Sequence, residues 1–320
     1  MVKKINLAVV GSGYWGSKLT SEYIQIHEEN PDFNFMGVID NDKKKLDSIK
    51  DKYQLDSSML FSNVSQCLAD PTINAIHIAT PMETHYDLAC EAISERKHIL
   101  LEKPMAMNAR DAFKIARLAE KNGNVVLVGH IFRFNAALVR AKELLDRNAI
   151  GTVKSLTFSW LDFLNPIPER DIIFDLVPHP VDILNYLIDD WPSSVFALTN
   201  RKNEDSAFVL LEMPDHKPVQ ISVSWFHSGP QERIVIIAGS DGRMTIDTIS
   251  QQVSIYMRTG KENIPVTKNN TMRSMMDHFI NCVDGSSTPN NSSLVGAMTV
   301  NVISAARNSL REGRMIKVFD

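Results

Sequence analysis

The sequence predicts an α/β chain in which an N-terminal doubly wound parallel sheet is followed by an α+β part built on a large, mostly antiparallel sheet. Three observations carry this. From Lys4 to Gly129, short continuous apolar runs alternate with stretches of helical period, as buried parallel strands and their crossover helices do. A glycine-rich turn follows the first run at once. Farther along the period falls to two, clearest where Val219, Ile221, Val223 and Trp225 alternate with Gln220, Ser222 and Ser224, which describes a strand with one wet face. A chain of 320 residues, 44% of them hydrophobic, can bury two cores. The change of pattern divides it into 1–130 and 131–320.

The first part offers strands at Ile5–Val10, Phe35–Asp40, Ala75–Ala79, His98–Glu102 and Val125–Gly129, with a short one near Met59–Phe61. Between them Leu19, Tyr23 and Ile26 share one helical face, as do Leu46, Ile49 and Tyr53. Asn108 caps a helix that carries Ala112, Ile115, Ala116 and Ala119 inward. A connecting helix spans 135–148, and strands are expected around 152–163, 195–199, 206–213, 231–238, 243–248 and 252–257. Helices are expected over His179–Ile188 and Met272–Val283, and a last one follows the Ser/Asn/Pro loop at 285–293.

Composition excludes several classes of function. The 34 basic and 38 acidic residues give a net charge of −4, which lacks the basic excess that nucleic-acid binding requires. No apolar run approaches the roughly 18 residues needed to cross a bilayer, so no membrane partner is expected. Lys3 and Lys4 precede an apolar stretch that Gly11 and Gly13 interrupt, which reads as a first strand and not as a secretory leader. Cys67, Cys90 and Cys282 lie far apart without a CxxC pair, so neither a disulfide framework nor a metal site is expected, and a reducing cytoplasm fits.

The chemistry begins at Gly11-Ser12-Gly13-Tyr14-Trp15-Gly16, between a strand and a helix. Gly11 permits the tight turn, Gly13 lets the backbone approach a pyrophosphate, and Gly16 allows close helix packing over unpaired N–H groups. Asp40 ends the second strand, where a carboxylate meets the adenosine ribose. A 2′-phosphate at roughly 4 Å would be repelled by about 4 kcal/mol at an effective dielectric of about 20, so NAD is expected over NADP. Lys43, Lys44 and Lys45 oppose that reading, and are taken as a solvated helix face. Ala79-Thr80-Pro81 lies at the same edge of the sheet, with His85 either contacting the cofactor ribose or capping the next helix. Glu102-Lys103-Pro104 ends another strand, with Lys103 toward the cofactor and an X-Pro bond that is a candidate for cis. In the second part Asp175 and His179 are one helical turn apart. Oxidising an alcohol needs a group to take the hydroxyl proton, and neutral imidazole suits that task. A buried histidine satisfied by an aspartate is the equally weighted structural reading.

Taken in order, the glycine fingerprint, Ala79-Thr80-Pro81 with His85, Glu102-Lys103-Pro104, the junction Gly129-His130 to Arg133-Phe134-Asn135, and the Asp175/His179 pair resemble the glucose-fructose oxidoreductase and inositol dehydrogenase family. That family is also named for its rhizopine-catabolism member (Gfo/Idh/MocA), and the matches span nearly the entire chain. The resemblance implies a Rossmann NAD-binding domain, then a substrate-binding and oligomerisation domain whose sheet makes homodimers or homotetramers. It places Lys103, Asp175 and His179 around the reacting alcohol: His179 as base, Asp175 orienting it, Lys103 stabilising the oxyanion. Gly-Tyr-Trp-Gly, Asp-Leu-x-Pro-His and the strand through Trp225 and His227 look like the branch acting on nucleotide-activated sugars, with C3 oxidation or reduction of a UDP-linked amino sugar or its uronic acid. Pro180 departs from relatives that carry aspartate there, which leaves the substrate open. Arg133 and Arg170 are candidates for a substrate phosphate or carboxylate, or else for ion pairs between the domains. Trp15, Trp225 and His227 are candidates to line the sugar pocket, Trp225 being equally a core residue. Two other readings stand beside this one: a dehydrogenase of a free pyranose or cyclitol, and a non-catalytic NAD-binding regulatory protein.

Overall fold

The computed structural model describes residues 4–162, 171–200 and 205–319. The chain divides into two units, Met1–Gly129 with Met275–Ala297, and His130–Ser274 with Met298–Asp320.

In the first unit β1 (Ile5–Val10), β2 (Phe33–Ile39), β3 (Leu60–Phe61), β4 (Ala75–Ile78), β5 (His98–Leu101) and β6 (Val126–Val128) form one parallel sheet in the order β3-β2-β1-β4-β5-β6. The order reverses between β1 and β4, which opens a crevice beyond the strands' carboxyl ends. The crossovers are α1 (Tyr14–Glu29), α2 (Lys43–Tyr53), α3 (Val64–Ala69), α4 (His85–Ser94) and α5 (Ala109–Asn122). Three starts are capped from the side chain: Asp42 accepts from the Lys44 and Lys45 N–H groups, Asn63 from Gln66, and Asn108 from Asp111. Helix α5 stops at Gly123, which takes the left-handed conformation at φ 70°. The core consists of apolar strand residues such as Leu7, Val9, Ile76, Ile78, Leu100 and Leu127, all at 0–1% exposure. Each contributes about 1.5–3 kcal/mol by leaving water. The expected strands are all present, within two residues of their predicted ends.

The second unit is built on a nine-stranded sheet. Its strands are β7 (Val153–Leu161), β8 (Ser194–Thr199), β9 (Ser206–Glu212), β10 (Pro218–Ser224), β11 (Glu232–Gly239), β12 (Gly242–Asp247), β13 (Gln252–Met257), β14 (Gly260–Ile264) and β15 (Ile316–Lys317). Their order is β14-β13-β12-β11-β7-β10-β9-β8-β15. Only β7 and β10 pair in parallel, Phe158 opposite Ile221 and Trp160 opposite Val223; the rest is antiparallel. The side bearing Phe158, Trp160, Ile221 and Val235 is buried. On it α6 (Ala136–Asp146) packs against β12 and β13, while α7 (Ile172–Leu176) packs against β9 and β10 and is followed by α8 (Pro178–Ile188).

The structure departs from the two-part division at residue 130 in one respect. Met275–Ala297 belongs to the first unit, so the division falls inside α9 (Thr271–Asp284) and again inside α10 (Ser293–Glu312). The physical reason is an open strand edge. The Val128 N–H donates to the Asn291 carbonyl (2.9 Å), the Asn291 side chain donates to the Val128 carbonyl (2.6 Å), and Leu127 bridges Ser292. Among the described residues no helix is long and apolar enough to cross a membrane, and no group of three or more His, Cys, Asp or Glu residues is placed to hold a metal.

Gly37 is fixed by its surroundings. It sits in β2 at φ 131°, where the register against β1 slips by one residue, and a Cβ there would lie 1.9 Å from the Met59 carbonyl oxygen. Gly37→Ala is expected to cost about 2 kcal/mol or more, read as a lower urea midpoint with an unchanged slope.

Candidate active site

The glycine fingerprint is shaped by two close approaches. Gly11 takes φ 103°, and a Cβ on it would stand 2.6 Å from the Ala79 carbonyl oxygen; one on Gly16 would stand 1.9 Å from the Gly11 carbonyl oxygen. A Cβ on Gly13, by contrast, would meet nothing within 4 Å. Gly13 is also the N-cap of α1 and supplies no side-chain cap, so the first N–H groups of a 16-residue helix are offered on that open side. That is the cradle a diphosphate requires, and the residues present fit a dinucleotide. Tyr14 is exposed, with the Lys18 ammonium 4.5 Å from its ring centre and 5.5 Å from that of Trp15.

Asp40 stands at the end of β2 with its carboxylate already oriented. One oxygen accepts from the Ser12 N–H (2.8 Å) and Ser12 hydroxyl (2.7 Å), and the other accepts from the Asp42 N–H (2.9 Å). Burial alone would raise its pKa, but these bonds outweigh burial and hold the carboxyl below its ordinary value. The site therefore presents a fixed negative charge beside the fingerprint loop.

The turns after β4 and β5 are tied together by His85. Its Nδ1 lies 2.8 Å from the Pro104 carbonyl and its Nε2 3.0 Å from the Thr80 carbonyl, and the side chain is buried. Burial lowers its pKa against the opposing pull of those two carbonyls. The imidazole makes no side-chain cap on α4 and is a clamp between Ala79-Thr80-Pro81 and Glu102-Lys103-Pro104, with both nitrogens turned to main chain. The Lys103–Pro104 bond is cis. Lys103 is half-buried, and Glu102 is buried beside it with Oε1 3.3 Å from His77 Nε2.

In the second unit Asp175 lies on α7 and His179 on α8, with Pro178 in the first turn of α8 between them. The Trp225 indole N–H donates to Asp175 Oδ2 at 3.2 Å, and Trp225 is only 5% exposed. Its part is to hold Asp175, so the core reading of this residue acquires a polar purpose. The His179 ring meets Phe132 edge-on (centroids 5.0 Å) and stacks near Trp160 (6.3 Å), which fixes its plane. Behind them Arg233 lies 5.1 Å over Trp160 and is paired with Asp162 at 2.5 Å; burial pulls the guanidinium's pKa down against the fields of Asp162 and Asp175.

Arg133 is engaged inside its own unit. Its Nε bonds Asp182 (2.7 Å) and its terminal nitrogen bonds Asn185 (2.7 Å), both on α8. It braces that helix, and its ion pair with Asp182 lies within one unit and not between the two. His227 is half-exposed, with Nε2 3.8 Å from Glu232 Oε1. Arg170 lies outside the described residues. Sequence reasoning missed Asp162, Trp160 and Arg233, which fall in no motif and meet because Arg233 is opposite Trp160 in the β11–β7 register, and it gave no role to Phe132, which stands inside the Gly129–Asn135 junction. His77 carried a usable sign: it is the one polar residue in the buried strand Ala75–Ile78.

Comparison with known proteins agrees with this geometry. Residues 5–130 match the model of the GFO/IDH/MocA oxidoreductase family, NAD-binding Rossmann fold, and residues 138–245 match the C-terminal domain of the same family. The NAD(+)-dependent scyllo-inositol 2-dehydrogenase of Bacillus subtilis is 25% identical over 275 residues, 79% of this chain and 80% of its own. Among solved structures, the UDP-N-acetylglucosamine 3-dehydrogenase of Acidithiobacillus ferrooxidans has a TM-score of 0.84 at 21% identity, covering 96% of this chain and 98% of its own. An oxidoreductase from Agrobacterium radiobacter, solved with NAD+, L-tartaric acid and magnesium, has a TM-score of 0.87 at 20% identity over 98% of both chains. At these identities the two structures establish the shared fold.

Replacing Asp40 with asparagine removes the fixed charge while keeping the shape. Calorimetry is expected to show the ratio of NADP to NAD dissociation constants falling by about tenfold or more; an unchanged ratio would place the discrimination elsewhere.

Proposed function

Since the chain belongs to the Gfo/Idh/MocA oxidoreductase family and uses NAD, we propose that it transfers hydride between the nicotinamide and a secondary alcohol of a sugar, most specifically C3 of a nucleotide-activated amino sugar or its uronic acid. The observation that carries the proposal is the placing of Asp175 and His179 on the adjoining helices α7 and α8, with Asp175 held by the Trp225 indole and the His179 plane set by Phe132 and Trp160. Such preparation suits an imidazole that must take a proton at a defined atom. The similarity in fold to a UDP-N-acetylglucosamine 3-dehydrogenase supports the nucleotide-sugar assignment.

Bound NAD supplies the ring that accepts or gives the hydride. The chain's own groups do the rest of the work in this proposal. The amide cradle around Gly13 takes the diphosphate and Asp40 takes the adenosine ribose. His179 removes the hydroxyl proton, and Asp175 orients the imidazole and favours its charged form. Lys103 stabilises the negative charge that grows on the oxygen as hydride leaves carbon, an interaction stronger in the transition state than in the ground state. His227 and Trp15 are proposed to touch the sugar, with Arg170 for its phosphate or carboxylate.

A free pyranose or cyclitol is the second substrate reading, favoured by the likeness to an inositol dehydrogenase over most of both chains. A regulatory NAD-binding protein would have no chemical need for Lys103, Asp175 and His179 together. A homodimer or homotetramer through the nine-stranded sheet is supported by Leu198, Phe208 and Leu210, which lie on its outer side at 46–52% exposure. A cytoplasmic location is proposed from the unpaired cysteines.

The decisive assay is NADH formation across a panel of UDP-linked amino sugars, their uronic acids, free pyranoses and inositols. Turnover confined to the nucleotide-linked members is expected, and turnover confined to free cyclitols would replace the first reading with the second. With the substrate so found, Lys103→Met and His179→Ala are expected to lower kcat by about two to four orders of magnitude while NAD still binds; full turnover in either would overturn the assignment. Trp225→Phe removes the indole N–H together with the volume of one ring, and is expected to reduce kcat about tenfold with KM shifted less than about threefold.

A further inference from the structure

The first unit contains a buried polar chain that the cofactor fingerprint does not require. The Tyr23 hydroxyl on α1 lies 2.9 Å from His77 Nδ1 on β4, and His77 Nε2 lies 3.3 Å from Glu102 Oε1 at the end of β5. Tyr23 and His77 are 0% exposed and Glu102 8%. The Tyr23 ring stacks with Phe33 (5.7 Å) and Phe35 (6.2 Å) and meets His77 edge-on (5.8 Å). Burial of three polar side chains without pairing would cost several kcal/mol, and their alignment removes that cost.

The direction of the chain follows from its ends. Burial, and then the negative fields of Glu102 and Asp277, push the Tyr23 phenol well above its ordinary pKa, so it keeps its proton and donates. His77 Nδ1 is then an acceptor, which puts the imidazole proton on Nε2, aimed at Glu102. At the other end burial would raise Glu102, yet the bond from His77, the Trp15 indole and the charge of Lys103 hold it below its ordinary value as a carboxylate. The remaining oxygen has a close neighbour as well: a Cβ on Gly129 would stand 2.8 Å from Glu102 Oε2, so a larger residue there would displace the carboxylate.

We infer that Tyr23 and His77 are positioning residues, forming a buried hydroxyl–imidazole–carboxylate chain that holds Glu102, and through it the Glu102-Lys103-Pro104 turn, in the orientation used for cofactor binding and for Lys103. The inference deepens the proposed function and rests on it for the role of Lys103. Its structural half concerns the apo-protein alone.

The test therefore has separate arms. In the 15N-histidine-labelled apo-protein at pH 8, His77, assigned by its absence from His77→Gln, should carry its proton on Nε2, and Tyr23→Phe should convert it to a tautomer mixture. A proton on Nδ1 in the wild type, alone or in an imidazolium, would overturn the chain as described. By calorimetry, His77→Leu should weaken NAD binding about tenfold, while His77→Gln, whose amide N–H reaches the Nε2 position, should restore it to within about threefold. A purely structural histidine would lower the melting temperature of His77→Leu and leave NAD affinity and kcat unchanged, and that result would also overturn the inference. Should the leucine variant fail to fold, Tyr23→Phe, which deletes one oxygen, carries the same NAD comparison with about a threefold loss expected and no loss overturning. A wild type that binds NAD but oxidises no sugar would sink the sugar reading, while the tautomer and affinity arms still decide this one.

Discussion

The close approach of main chain to main chain at Gly11 and Gly16 is the constraint from which the rest of the first unit follows. A single methyl group at either position would overlap a carbonyl oxygen, so no other residue permits α1 to start where it does. With α1 so placed, its first N–H groups face the open side of Gly13, and Ser12 is delivered to the Asp40 carboxylate. The same placement carries Tyr23, farther along α1, onto β4 and within reach of His77. Backbone sterics at the loop and hydrogen bonding in the core are thus one arrangement.

The second unit solves a different problem. It places a carboxylate, Asp175, and an imidazole, His179, next to an apolar sheet, where unpaired charge is expensive. It does so with groups shared among neighbouring strands. Trp225 bonds Asp175, Trp160 and Phe132 flank His179, and Arg233 with Asp162 adds a compensated charge pair behind them. Because β7 and β10 are parallel, Trp160 and Val223 lie in register, and the segment after β10 brings Trp225 under α7.

The sequence made the parallel sheet legible because buried strands and amphipathic helices each have their own period, and the fingerprint because its glycines answer to sterics alone. β14 (Gly-Lys-Glu-Asn-Ile) was not legible, since it is exposed on both sides and has no alternation to betray it. Nor was the parallel pairing of β7 with β10, because side-chain alternation records which side is buried and carries no information on strand direction. Lys103, Asp175 and His179 stand in recognisable motifs, whereas Arg233 and Asp162 meet through strand register, at a separation of 71 residues. His85 and Arg133 were visible as residues, but their partners, two carbonyls and the side chains of α8, exist only in the folded chain.

The return of Met275–Ala297 to the first unit means that the NAD-binding half is discontinuous in the gene. A polypeptide ending at residue 130 would leave one long edge of β6 bare, with the Val128 amide and carbonyl deprived of the asparagine that bonds both. An uncovered edge of Val-Leu-Val invites pairing with another copy. The halves of this enzyme are therefore not interchangeable cassettes: exchanging the cofactor half with that of a relative would require transplanting two separate stretches of sequence together.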